Sequence, residues 1–524
     1  MLAGSCLLAV VVAGSLTIPA AKRGPDLAVL IRETRPSTDD AERLVAAIGG
    51  HVVRELPIVG GFAATVPEAR VAALGRATSV AGVWGDASIR MASAGTTQYD
   101  SSEPNLVWRK AIRLSQVDVK GAGVTVALLD TGVSQVQDLG ARVDARIDFT
   151  PGGAGEDAYG HGTHLAGVIA GNGSASSGKW RGVAPAAHLV SVKVAGADGS
   201  TDVSVVIAAL QWIVTHRDVY NIRVLNLAFG TDGVQPYALD PLDAAVERAW
   251  AAGITVVVSA GNRGSAAGTI NKPGDDPYVI TVGAADLNQT SDRSDDVVAP
   301  FSSRGPTQDG FEKPDLVAPG ITIVATRSVG STIDQLHPDA VVDDNYFKGT
   351  GTSQAAAVVS GVAALMYAVD PALKPNQVKG MLLGTAFKTA AYRAGGGAGL
   401  VDAEGAVLAA DGSVGNPNAG LDRAVGDGSV ERSRGSVHVT TDLNGDGTGD
   451  LVQGEVDVLG QSWDSNSWSS NSWSSDSWSS NSWSSLISEN EGWSSNSWSS
   501  NSWSGMCWSS NSWSSNSWSS VMWS

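Results

Sequence analysis

The chain has 524 residues, too many for a single domain at an expected length of about 150 residues each, and its composition changes sharply along its length. Its formal net charge of −18 at pH 7 argues against a nucleic-acid-binding surface, because a polyanion needs clustered Lys and Arg to displace its counterions. Its two cysteines, Cys6 and Cys507, stand near opposite ends, so no disulfide framework supports the residues between them.

Residues 2–21 carry no charge and end in Pro19-Ala20-Ala21, the pattern of a secretory signal peptide over 1–21. No Lys or Arg precedes the apolar run, so a retained anchor is the other reading of this segment. Residues 22–92 then alternate: strand-like 27–31, helix-like 39–48, strand-like 51–56 and 61–66, helix-like 68–74 and strand-like 80–84. That rhythm predicts a small α+β domain. The small and polar stretch 90–102 separates it from the next unit.

Across 93–410 helix-like segments at 202–214 and 241–252 alternate with strand-like 223–228 and 254–259. Strands as continuously apolar as Ile254-Thr255-Val256-Val257-Val258 are buried on both faces, which predicts an α/β domain with a mostly parallel sheet and helices on each side. Reactive groups then belong at the carboxyl ends of the strands, and Asp130 and Asn262 each follow an apolar strand. The apolar run 355–369 is too short to span a membrane and reads as a buried core helix.

Residues 411–460 read as a linker rich in Gly, Asn and Asp. Within it Asp442, Asn444, Asp446, Thr448 and Asp450, with Gly447 at the sharp turn, have the spacing of a loop that holds structural calcium, although Gln453 replaces the bidentate Glu. Residues 461–524 repeat Trp-Ser-Ser-Asn-Ser every five positions. Five residues advance a helix by about 140° beyond one turn and put a strand on its other face, so only a β-solenoid-like coil would align the tryptophans. The alternative is a low-complexity tail without a fold; if folded, the tail would offer an aromatic ladder to glycan or cell-wall polymer.

Three segments carry chemistry. Ser353, in Gly349-Thr350-Gly351-Thr352-Ser353-Gln354, opens an apolar helical pattern where backbone N–H groups point past its hydroxyl. A serine hydroxyl needs a base, and Gly160-His161-Gly162-Thr163-His164 supplies an imidazole at a helix start, with His164 one turn on and facing inward. Asp130, in Leu129-Asp130-Thr131-Gly132, supplies a carboxylate to orient that imidazole.

With Ser259-Ala260-Gly261-Asn262, Gly182-Val183-Ala184-Pro185, Phe301-Ser302-Ser303-Arg304-Gly305-Pro306 and Lys313-Pro314-Asp315-Leu316-Val317-Ala318-Pro319-Gly320, these motifs resemble the subtilisin-like serine proteases over residues 100–410. The resemblance implies a secreted endopeptidase acting on protein or peptide substrates through Asp130, His161 and Ser353 and an acyl-enzyme. It further implies an oxyanion hole made by Asn262 and the Ser353 N–H. Substrate backbone would pair with the edges at Val194 and Gly196 and at Ala228 and Gly230, and the 22–92 domain would be the propeptide and inhibitor. A single Asp-Thr-Gly beside a complete Ser/His set disfavours an aspartic protease. The rival reading is a catalytically retired cell-surface binding protein that displays the Trp-rich tail. Arg263, after the oxyanion asparagine, would favour acidic side chains in the neighbouring substrate pocket. Gln354 stands where the family usually has methionine; with no thioether beside Ser353, we expect hydrogen peroxide to inactivate the site slowly, and rapid loss of activity with oxidation mapped to 349–357 would contradict this.

Overall fold

The computed structural model describes residues 26–35, 38–56, 61–85, 104–150, 155–392, 394–410, 412–436, 438–441 and 449–463. The expected signal peptide, the 90–102 junction, four candidate calcium ligands (Asp442, Asn444, Asp446, Thr448) and the tail from 464 lie outside them. Two units divide the chain, 1–93 and 94–524.

In the first unit β1 (Asp26–Glu33), α1 (Asp40–Ala47), β2 (His51–Leu56), β3 (Gly61–Pro67), α2 (Glu68–Leu74) and β4 (Val80–Gly85) follow the predicted order. The strands form an antiparallel sheet in the order β2-β3-β1-β4. Alternate residues Val29 and Ile31 of β1 and Phe62, Ala64 and Val66 of β3 turn to one face, where they bury Ala41, Val45 and Leu74 of the helices.

The second unit begins with α3 (Pro104–Ala111) and contains β5 (Thr125–Asp130), β6 (Val143–Asp148), α4 (His161–Ala170), β7 (His188–Lys193), α5 (Val203–His216), β8 (Ile222–Leu227), α6 (Pro241–Ala251), β9 (Thr255–Ser259) and β10 (Ile280–Asp286). There follow β11 (Val297–Val298), β12 (Leu316–Pro319), β13 (Ile323–Thr326), α7 (Thr332–Leu336), β14 (Tyr346–Gly349) and α8 (Thr352–Val369). Strands β6-β7-β5-β8-β9-β10 pair in parallel, β12 joins β10 in parallel and β11 joins it antiparallel. Every residue of β5 and β9 is buried, as a sheet covered on both faces requires. Helices α4 and α8 pack together, as do α5 and α6. The helix predicted at 202–214 spans Val203–His216, with the Asp202 carboxylate accepting from the Ser204 N–H at 2.9 Å as its N-cap. Helix α8 is long and apolar enough to cross a bilayer, but it lies buried in this core.

The described part of the segment predicted as a linker is instead packed onto this unit. Val430, Val452 and Val458 join its apolar core, and Arg434 is buried in an ion pair with Asp202 at 2.6 Å. Composition misled here because three scattered valines and one arginine anchor a stretch that is otherwise Gly, Asn and Asp.

An ammonium sits deep in the same unit. Lys272 Nζ lies 2.7 Å from Asp243 and from Asp275 and 3.6 Å from Asp240, with all four side chains buried. Burial pushes the Asp243 carboxyl above the usual range and holds that of Asp275 up at about 6. Replacing Lys272 by Met leaves carboxylates without their counter-charge, and we expect a loss of about 3–5 kcal/mol in urea unfolding at pH 8. The loss should shrink towards pH 5, because carboxyls with raised folded-state pKa bind protons and need no cation as pH falls; an equal loss at both pH values would contradict the charge argument.

Candidate active site

The strand order places β5 between β7 and β8: the chain runs from β5 out to β6, returns to β7 and then crosses to β8, and sites in parallel sheets form at the carboxyl ends of strands where the direction of crossover reverses in this way. Asp130 is the last residue of β5, and it is buried. Helix α4 starts beside it. A Cβ on Gly162 would stand 2.1 Å from the Gly132 carbonyl, so only glycine lets the helix start come this close to the strand end.

A second carboxylate ties the two segments. Buried Asp157 accepts from the Gly160 N–H at 2.6 Å, the Thr163 N–H at 2.7 Å and the Thr131 hydroxyl at 2.8 Å, while Thr131 Oγ1 accepts from the Gly162 N–H at 2.9 Å. Asp157 therefore serves the free amides at the start of α4 and anchors them to the residue after Asp130. Sequence reading missed it; an acidic residue three positions before the helix-capping glycine was the available signal.

His161 Nδ1 lies 2.8 Å from Asp130 Oδ1, which also accepts from the Thr131 N–H at 2.8 Å. A carboxylate has no proton to donate, so Nδ1 carries the hydrogen and Nε2 keeps its lone pair. Burial lowers the imidazole pKa, but the Asp130 charge and hydrogen bond, helped by Asp157, outweigh it and hold His161 above its ordinary 6.5. His164 is set apart as expected: it is buried, its Nε2 faces the carbonyls of Ile323 and Phe347 at 3.2 Å, and burial together with the His161 charge lowers its pKa to about 4. Its Nδ1 meets the Gln354 amide at 3.5 Å, which gives Gln354 a packing role the sequence did not reveal.

Ser353 is the second residue of α8, buried except for an 8 % residue, and its hydroxyl donates to the Ala228 carbonyl at 2.9 Å rather than to His161. Asn262 follows β9. Its Oδ1 accepts from the Thr352 N–H and from the Thr352 hydroxyl, each at 3.0 Å, so the two donors identify the oxygen and leave Nδ2 on the other side of the amide.

The expected substrate edges flank this point. The Val194 N–H donates to the Asp130 carbonyl at 2.9 Å, and Gly196 is within a turn closed by Gly199. Gly230 is needed for a reason other than substrate approach: a Cβ there would stand 2.1 Å from the Lys272 carbonyl, because Thr231 and Lys272 pair through their backbones at 3.0 and 2.9 Å. The exposed Arg263 folds its guanidinium back onto the carbonyls of Thr269 and Ile270 at 3.2 and 3.1 Å.

Among the described residues no three His, Cys, Asp or Glu side chains converge as a ligand set. The carbonyls of Pro277, Tyr278 and Val279 at 2.6–3.2 Å, with the Asp315 carboxylate at 3.4 Å, hold the buried Lys379 ammonium. Of the expected calcium loop only Asp450 is described, paired with Thr441.

The chain was compared with known proteins. A profile of the Subtilase family matches residues 121–428. Serine protease AprX of Bacillus subtilis (strain 168) is 42% identical over 280 residues, covering 52% of this chain and 63% of AprX, just under two thirds. Subtilisin Savinase of Lederbergia lenta is 36% identical over 288 residues, 55% of this chain and 91% of Savinase. Subtilisin E of Bacillus subtilis (strain 168) is 31% identical over 361 residues, 68% of this chain and 83% of that protein. A solved structure of a cold adapted subtilisin-like serine proteinase is 31% identical, with a TM-score of 0.42 over 55% of this chain and 89% of that one.

The His161–Asp130 pair yields a direct expectation. In proton NMR titration the His161 ring should remain half protonated above pH 6.5, and Asp130→Asn should bring its pKa down, because the neutral amide no longer favours the imidazolium. A His161 ring titrating below 6.5 in the unaltered protein would show that the pair is not formed.

Proposed function

The chain belongs to the subtilase family, and from that premise we propose that it is a secreted serine endopeptidase working through Asp130, His161 and Ser353. The observation that carries this reading is the 2.8 Å His161–Asp130 bond at the carboxyl end of β5, which leaves the lone pair on Nε2; α4, which His161 begins, packs against α8, whose second residue is Ser353.

The Ser353 hydroxyl first exchanges its Ala228 partner for His161 Nε2 by rotation about χ1. Nε2 then takes the hydroxyl proton as Oγ attacks the peptide carbonyl, and Asp130 stabilises the imidazolium that forms. Asn262 Nδ2 and the Ser353 N–H receive the oxyanion; the fixing of Asn262 Oδ1 by Thr352 supports this, since a donor set in advance needs no reorganisation when charge develops. His161 returns the proton to the leaving amine, the acyl group stays on Ser353, and water activated by the same imidazole releases it. A peptide lies as an added strand along Val194–Gly196 and Ala228–Gly230, which selects for backbone more than for side chains.

The α+β unit acts as inhibitor and folding aid until cleavage within 90–102 frees it. Residues 1–21 direct export, the 442–450 loop binds a structural calcium ion, and the repeat tail meets wall or glycan.

Mass spectrometry of the protein beside Ser353→Ala tests the reading: we expect cleavage within 90–102 only with Ser353 present, and an uncut, folded parent would oppose it. Asn262→Ala should lower kcat by roughly 10²–10³ with KM little changed. The acid limb of kcat/KM should fall above pH 6.5, because the raised His161 pKa keeps the base protonated further up the pH scale.

A further inference from the structure

The segment 421–436 lies along one stretch of the second unit, residues 231–240, the chain between the Ala228–Gly230 edge and the start of α6. The Thr231 hydroxyl donates to the Ser433 carbonyl, and Asp232 accepts from the Ser436 N–H at 2.6 Å and from its hydroxyl. Gln235 exchanges two hydrogen bonds with the backbone of Ser429, at 3.1 and 2.9 Å. The N–H groups of Val425 and Gly428 donate to the carbonyls of Ala238 and Leu239, each at 2.7 Å, and the Ser433 hydroxyl reaches Asp240 at 2.8 Å.

What holds this segment is Arg434, whose side chain is 1% exposed. Its guanidinium donates to Asp202 at 2.6 and 3.2 Å, to Glu431 at 3.1 Å and to the Gly454 carbonyl at 2.8 Å. A buried guanidinium with its donors spoken for in several directions accepts one placement only, so it sets the register of 421–436 against the N-cap of α5.

We propose that residues 421–436 are a strap that positions the substrate-binding edge, with Arg434 as its lock and Thr231 as its point of action. Thr231 is gripped from two sides, by Ser433 and by the backbone of Lys272, and it directly follows the three residues whose first carbonyl holds the Ser353 hydroxyl. Extended peptides that pair along Ala228–Gly230 depend on the strap, while a small ester that meets only Ser353 and the oxyanion donors does not. Arg434 and Thr231 are positioning residues, and the inference rests on the endopeptidase reading.

The test uses the full chain and three variants, Thr231→Val, Asp232→Ala and Arg434→Lys, each titrated for active sites with an organophosphonate that labels serine. Substrates are p-nitrophenyl acetate and a four-residue peptide p-nitroanilide. Per titrated site, we expect KM for the peptide to rise about fivefold or more in Thr231→Val and Arg434→Lys, with kcat/KM for the ester unchanged within about twofold. A purely structural role would reduce the number of titrated sites and leave KM alone. Should Arg434→Lys fail to fold, the surface change Asp232→Ala, expected to raise peptide KM about twofold, decides with Thr231→Val. Labelled, folded variants with unchanged peptide KM overturn the strap. An unaltered protein that takes no label at Ser353 overturns the endopeptidase reading and the strap with it.

Discussion

Parallel pairing of β5 with β7 on one side and β8 on the other determines where the reactive side chains begin. From β5 the chain runs out to β6, returns to β7 and then crosses β5 to reach β8, and Asp130 occupies the carboxyl end of β5 near this reversal of direction. Hydrogen-bond register transmits the placement outward: Val194 is bonded to the Asp130 carbonyl, and Ala228 is the first residue beyond β8. Helices α4 and α8, packed together, carry His161 and Ser353 in their first turns, where the amides of Gly160, Gly162, Thr163 and Thr352 are tied down by Asp157, Thr131 and Asn262.

Buried charge is the second theme of an acidic protein. Lys272, Lys379 and Arg434 each stand among oxygens that would otherwise be uncompensated, and each joins segments distant in sequence. Such pairs add little net stability over a well-packed apolar core, since desolvation offsets most of the attraction. They do penalise any arrangement in which one partner is displaced, and so give stretches of Gly, Asp and Asn a single path.

The two histidines of the Gly-His-Gly-Thr-His run show how environment divides labour between identical groups. His161 faces a carboxylate and is held above its ordinary pKa, whereas His164 faces carbonyls and an amide and is held near 4. The Asp130 carboxylate favours the charged form of the first; the second ties α4 to Ile323 and Phe347.

Local pattern alone was enough for the alternation of strands and helices, the α+β character of 26–85 and the inward-facing His164, because periodicity, capping residues and glycine-rich turns act over a few positions, whereas the pairing of Asp130 with His161, 31 residues apart, was expected only from the family resemblance. Asp157, the Gln354–His164 contact, the close approach of Gly230 to the Lys272 carbonyl and the docking of 421–436 were not legible there. Each depends on a partner between 26 and 232 residues away, or on a backbone approach that leaves no trace in local composition. Sequence determines which groups are available and what each short segment prefers; only the packed sheet decides which carboxylate meets which cation, because that choice is made by distance in space and by the cost of burying a charge alone.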